Sequence, residues 1–177
     1  QGIPAPVPLD WRHKLLDWLL IAAFGLATVA FPVITVQAIT LSQVPWIGVM
    51  VALYALLSLA AFARRLPYVI RSLALLIGLG SVALLGFMRV GYQVGPGTGS
   101  ALIVILSGLL LGRRAMLGAF ALTLCAIPLV GWYTHATGGE FINPTVNDPT
   151  QLANWWRVAA VYALFTGVLA AAVSFVV

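Results

Sequence analysis

The chain alternates long apolar stretches with short breaks that are polar or rich in proline and glycine. An α-helix rises about 1.5 Å per residue, so about 20 apolar residues cross a hydrocarbon core about 30 Å thick. The breaks divide the sequence into segments close to this length. The pattern therefore predicts one all-α membrane domain over residues 1–177, with six transmembrane helices at about 15–38, 46–63, 68–88, 98–112, 115–133 and 154–177.

Proline and glycine set the expected loops and kinks. The segment Gly91–Ser100 contains Gly95, Pro96, Gly97 and Gly99, which predicts an irregular loop and leaves the fourth helix short for a full crossing. The polar segment from Thr134 to Ala153 predicts the longest loop. Prolines inside the first and fifth helices, Pro32 and Pro128, predict kinks.

Composition supports a lipid environment and excludes several classes of protein. Hydrophobic residues make up 62% of the 177 residues and charged residues only 7%, too few to cover a water-soluble domain. The basic residues stand singly or in pairs at the ends of apolar segments, not in a stripe, so we expect no nucleic-acid binding. The predicted location is the bacterial inner membrane, as a multi-pass protein with the lipid bilayer as its main partner.

The distribution of basic residues predicts the orientation. Cytoplasmic loops of membrane proteins carry an excess of Lys and Arg. With both termini in the cytoplasm, two basic residues, Arg89 and Arg157, lie on the outer side. The other seven lie on the inner side, at positions Arg12, Lys14, Arg64, Arg65, Arg71, Arg113 and Arg114.

Residues that could carry chemistry are few. The single cysteine, Cys125, lies in an apolar run, and the two histidines, His13 and His135, are predicted on opposite sides of the membrane, so we expect no metal site and no cofactor. Asp17 is the one acidic residue inside an apolar run, and Lys14 three positions earlier favours a local pair that anchors the helix at the interface. No catalytic residue is predicted, and this segment is not expected to be an enzyme.

The predicted outer end is richer in polar and aromatic side chains. An aromatic belt at the membrane interface explains most of them, but the two outer arginines could also bind an anionic small molecule. The candidate ligand-binding residues on the non-cytoplasmic side are Arg89, Tyr92, Gln93, Trp132, Tyr133, His135, Trp155, Trp156 and Arg157.

Pairs of small residues four positions apart predict close helix packing. Gly108 with Gly112 and Gly167 with Ala171 would let neighbouring backbones approach, which favours packing within the chain over dimerisation.

Several motifs resemble the N-terminal multi-helix sensor region of bacterial membrane histidine kinases or related PAS and GGDEF signalling proteins. They are Arg64-Arg65-Leu66-Pro67-Tyr68, Gly97-Thr98-Gly99-Ser100, Leu109-Leu110-Leu111-Gly112-Arg113-Arg114-Ala115, Asp148-Pro149, Asn154-Trp155-Trp156-Arg157 and Val173-Ser174-Phe175-Val176-Val177. The resemblance implies detection of an extracytoplasmic or membrane-borne signal, transfer along the sixth helix and, in many cases, a homodimer. It also implies a cytoplasmic output domain after residue 177. A start without methionine and an end in an apolar run predict the same longer polypeptide.

Two other functions fit the sequence. The helix number and the Leu-Leu-Leu-Gly-Arg-Arg turn also resemble the small substrate-binding subunits of energy-coupling-factor transporters. A scaffolding subunit of a larger membrane complex would need no binding pocket at all. The leading prediction is a transmembrane sensor and signal transducer.

Overall fold

A computed structural model describes residues 10–40, 44–63, 65–90, 94–137 and 151–174. Within these ranges the chain is all-helical. Its six helices are α1 (Asp10–Thr40), α2 (Val44–Phe62), α3 (Tyr68–Val90), α4 (Val94–Leu111), α5 (Arg113–Thr137) and α6 (Leu152–Ser174).

The prediction of an irregular loop over Gly91–Ser100 is wrong from Val94 onward, because α4 begins at Val94. Pro96 lies in the first turn of α4, where a helix does not need the backbone N–H that proline lacks. The Thr98 hydroxyl donates to the Gly95 carbonyl at 2.9 Å, and the Ser100 hydroxyl donates to the Pro96 carbonyl at 2.9 Å. First-turn proline and local hydroxyl bonds therefore make a glycine-rich segment helical.

The fifth helix is longer than predicted at both ends. It begins at Arg113, directly after Gly112, and continues to Thr137, so His135 lies in a helix and not in a loop. Gly112 has a φ of 91°, a conformation that favours glycine. Its N–H donates to the Gly108 carbonyl at 2.9 Å, and its own carbonyl accepts from the Met116 N–H at 3.1 Å. One residue therefore ends α4 and starts α5.

The chain divides into two compact units, the first ending at Leu75 and the second beginning at Leu76. In the first unit α1 packs against α2. The Tyr54 ring lies 5.5 Å from Phe24 and 5.2 Å from Phe31, and its hydroxyl lies 3.1 Å from the Thr28 hydroxyl. A mixed aromatic and hydroxyl contact thus joins these two helices.

In the second unit α4, α5 and α6 pack against one another in every pairing. Gly108 of α4 faces Met116 of α5 so closely that a methyl group on Gly108 would lie 2.9 Å from the Met116 sulfur. The predicted close approach at Gly108 is therefore within the chain. Met116 belongs to a buried apolar cluster with Val104 and Ala170, which come from α4 and α6.

In the part of the chain that the structure describes, four helices contain apolar segments long enough to cross a membrane. These segments are Trp11–Val33, Tyr68–Met88, Arg113–Thr137 and Leu152–Ser174. The segments Ile47–Phe62 in α2 and Gly95–Leu111 in α4 are apolar and shorter. Many large apolar side chains on these helices are exposed, as expected where lipid replaces water around a protein.

Candidate functional site

The contact between Trp155 and Gly131 joins the start of α6 to the second half of α5. Trp155 is fully buried, with 0% of its surface exposed. A methyl group on Gly131 would lie 2.7 Å from the Cβ of Trp155, closer than real carbon atoms approach. The absence of a side chain at Gly131 therefore makes the space that the indole occupies.

Trp155 belongs to a buried cluster that three helices build. Phe87 comes from α3, and its ring lies 6.3 Å from the indole of Trp155 at an angle of 56°. From α5 come Ile127 and Val130. Ala159 and Tyr162, one and two turns after Trp155, complete the set from α6. The buried face of α6 thus continues from Trp155 into the core of the second unit.

A pair of hydroxyl groups at the edge of this cluster joins α5 to α6. The Thr123 and Tyr162 hydroxyls lie 2.6 Å apart. Thr123 also lies within donating distance of the Ala119 carbonyl, at 2.9 Å, and the Phe120 carbonyl, at 3.0 Å. Either hydroxyl can donate in this pair, and when Thr123 donates to a carbonyl its oxygen can accept from Tyr162. The ring of Tyr162 also stacks on Phe120 at 6.2 Å.

These contacts hold α6 against α5 at two heights. Tyr162 follows Trp155 by seven residues, about 10.5 Å along a helix. The steric contact at Gly131 fixes one height, and the directional bond at Thr123 fixes the other. We call these two contacts, Gly131 with Trp155 and Thr123 with Tyr162, the α5–α6 contact. A sliding or rotation of α6 along α5 must break both, so the helix pair can transmit a displacement.

The predicted outer residues have different surroundings. Of those described, Trp155 is buried, whereas Trp132, Tyr133, His135, Trp156 and Arg157 are exposed on α5 and α6. Arg89 lies in the last turn of α3, with its side chain outside the described part. Tyr92 and Gln93 lie outside the described residues. The structure brings Trp155 into the core, and the binding of a ligand by these residues stays a prediction.

An ion pair that sequence reasoning missed lies in the first unit. One terminal nitrogen of Arg71 donates to a carboxylate oxygen of Asp17 at 2.7 Å. The Nε of Arg71 donates to the Ala60 carbonyl at 2.9 Å. The Arg71 side chain is 8% exposed and that of Asp17 is 44% exposed. One guanidinium therefore connects α1, α2 and α3, and we call this arrangement the Arg71 clasp.

The Arg71 clasp has a clear physical basis. Ala60 lies in the last turn of α2, where backbone carbonyls lack helical partners and the helix dipole favours a cation. Buried charges are tolerated when they are paired and hydrogen-bonded. The sequence indicated Arg71 as a topology signal and Lys14 as the partner of Asp17. The signal that could have identified the pair is the presence of opposite charges inside two apolar segments.

Metal-binding chemistry requires several ligands at one place. In the described parts of the chain, no three His, Cys, Asp or Glu side chains come together in this way. A family model, MASE11, matches residues 10–177. The chain belongs to the MASE11 family.

MASE11 is a family of membrane-associated sensor domains. The match covers all six helices, so the assignment applies to both compact units. It agrees with the predicted multi-helix sensor region and with the apolar segments of the fold. No curated protein and no solved structure matches the chain.

Proposed function

We propose that this MASE11 domain is the sensing and transducing module of a bacterial membrane sensor histidine kinase. The family match over residues 10–177 is the observation that carries the proposal. A signal from the extracytoplasmic side or from the bilayer shifts the packing of the helices between two arrangements. Helix α6 then passes the change to a cytoplasmic output domain.

The α5–α6 contact supports this role for α6. The helix is held near its beginning by Trp155 and in its middle by Tyr162, so a displacement at its first turn reaches its later turns through packed side chains. Packed interfaces change between discrete arrangements rather than deforming gradually. Helix α6 is the last of the described helices in chain order, so in this proposal it connects the sensor to the output domain.

The proposed membrane arrangement has six crossings and both termini in the cytoplasm of a bacterial inner-membrane protein. The basic turn before α3 and the Arg113–Arg114 pair then lie inside, in agreement with the preference of Lys and Arg for cytoplasmic loops. The exposed outer aromatics lie at the opposite interface. A homodimer is part of the proposal, because signalling through a last helix commonly uses paired copies.

The first experiment is the intact mass of the native polypeptide isolated from its source membranes. The kinase proposal requires a chain much heavier than the 18.8 kDa of the present sequence. A native mass near 18.8 kDa would overturn the proposal and favour a substrate-binding transporter subunit or a scaffold.

The second experiment identifies the output. The full-length protein in nanodiscs is incubated with ATP labelled on the γ-phosphate, and label on a protein histidine is measured. We expect labelling that changes when Gly131→Ala disturbs the α5–α6 contact and stays unchanged with Gly118→Ala, at an open position of the same helix. A long chain without labelling would exclude the kinase and leave a sensor with another output.

A further inference from the structure

We propose that the inner end of the first unit binds the headgroup of an anionic phospholipid. The binding surface consists of Arg12 at the start of α1 and Arg65 in the turn before α3, joined by a ring contact between the two segments. Neither the family assignment nor the proposed function requires such a surface.

The His13–Tyr68 contact brings the two basic segments to one place. The ring centroids of His13 and Tyr68 lie 4.6 Å apart, with the planes at 55°. His13 is in the first turn of α1, and Tyr68 is the first residue of α3. Arg12 precedes His13, and Arg65 lies three residues before Tyr68. Arg12 also acts electrostatically on the Tyr68 hydroxyl.

The charge of this surface is positive. Residues 10–14 and 65 contain three basic and one acidic residue, a formal net charge of +2. The nearest acidic side chain farther along α1 is Asp17, and its carboxylate is bound to Arg71 at 2.7 Å. The Arg71 clasp therefore already pairs the Asp17 carboxylate with a cation of its own.

The side chains have the chemistry and the exposure for a phosphate group. Arg65 is exposed and Arg12 is half-buried, with its guanidinium 5.5 Å from the centre of the Trp11 ring. A guanidinium donates paired hydrogen bonds to phosphate oxygens, and tryptophan prefers the headgroup level of a bilayer. The apolar span starting at Trp11 places this surface at the end of a membrane segment. Because the phosphates of lipid headgroups lie at this level of a bilayer, a lipid headgroup is the phosphate-containing ligand that we expect here.

The test uses the whole chain in nanodiscs made of equal parts phosphatidylcholine and phosphatidylglycerol. Lipids retained after release are counted by native mass spectrometry. We expect the wild type to retain phosphatidylglycerol in preference, and Arg12→Gln with Arg65→Gln to lose affinity about fivefold for each arginine removed. The matched control is Arg113→Gln with Arg114→Gln, which removes the same charge from exposed residues of the second unit.

A second variant tests the assembled surface and not the charge. Tyr68→Leu removes the ring contact and keeps every cation, and we expect it to lower retention of phosphatidylglycerol as well. Equal losses in the two arginine pairs would overturn the proposal in favour of diffuse surface charge. Displacement of the lipid by an equal concentration of inorganic phosphate would overturn it in favour of a free-anion site. Unchanged retention of phosphatidylglycerol both in the protein with Arg12→Gln and Arg65→Gln and in Tyr68→Leu would also refute the lipid-binding proposal.

Discussion

At the scale of single residues, Gly131 and Arg71 show how volume and charge fix the packing of this domain. Gly131 gives space to a buried indole, and Arg71 places a charge where three helices meet. Gly131 is an ordinary residue for a membrane helix, whereas Arg71 is a charge inside an apolar segment. Their importance follows from what lies opposite them, and each leads to a measurable prediction.

We expect Gly131→Ala to destabilise the domain. The new methyl group overlaps the Trp155 side chain, and overpacking in a buried site costs about 1–3 kcal/mol. The free energy of unfolding in mixed detergent micelles measures the effect. Gly118→Ala is the matched control, because Gly118 is exposed on the same helix with nothing within 4 Å. Equal stability of the two variants would contradict the steric role of Gly131.

We expect Arg71→Met to cost more stability than Asp17→Asn. Losing Arg71 leaves both the Ala60 carbonyl and the Asp17 carboxylate without their donor, and hydrogen bonds to charged groups contribute about 1.5–3 kcal/mol. Asp17→Asn keeps a side-chain oxygen that can still accept from Arg71 and leaves the bond to the Ala60 carbonyl in place, so this substitution costs less. Unfolding of both single variants and the double variant gives the coupling energy. A coupling near zero would show that the pair is not a unit.

At the scale of helices, the register of α6 against α5 depends on one steric and one directional contact. The steric contact at Trp155 tolerates rotation poorly, whereas the Thr123–Tyr162 bond fixes the height of α6. In α4 and α5, by contrast, the relation is set by Gly112, whose positive φ turns the chain between them. Helix α6, by comparison, is held against α5 by contacts between side chains.

Replacing Tyr162 by phenylalanine should weaken the α5–α6 contact by a modest amount. Hydrogen bonds between transmembrane helices contribute about 0.6 kcal/mol on average and about 1.7 kcal/mol at most. We expect Tyr162→Phe and Thr123→Val each to lower stability by such an amount, and the double variant by little more than one of them. Tyr133→Phe, at an exposed position of α5, is the control and should be neutral. Strictly additive losses would refute a direct bond.

At the scale of the whole molecule, the ends of the helices are expected to alternate between the two sides of the membrane. The four long apolar segments support crossings by α1, α3, α5 and α6. Crossing by the shorter apolar segments of α2 and α4 completes a topology with both termini on one side. The distribution of arginines predicts that this side is the cytoplasm.

Labelling of single cysteines tests this topology. In a Cys125→Ala background, we expect Gln151→Cys to react with a membrane-impermeant maleimide in intact cells, because it lies just before α6 on the predicted outer side. Arg65→Cys and Arg114→Cys should react only after permeabilisation. Labelling of Arg65→Cys and Gln151→Cys under the same conditions would contradict the crossings of the helices between them.

The helical class and the approximate helix positions could be predicted from the sequence. A long apolar segment in lipid must form its backbone hydrogen bonds internally, and this requirement depends on composition alone. The sequence also placed the break between α4 and α5 close to Gly112, and it predicted the close approach at Gly108. The helical start of α4 was missed because the proline and glycine signals are local averages. They do not show that Pro96 falls in a first turn, where proline is well tolerated.

Which side chains contact each other could be learned only from the three-dimensional structure. Trp155 and Trp156 are neighbours of the same type, yet one is fully buried and the other exposed, since the direction of a side chain depends on the packing of α6. Asp17 and Arg71 are 54 residues apart, and the fold of α1 and α3 brings them together. Pairing of distant residues depends on the three-dimensional path of the chain, which local pattern does not contain.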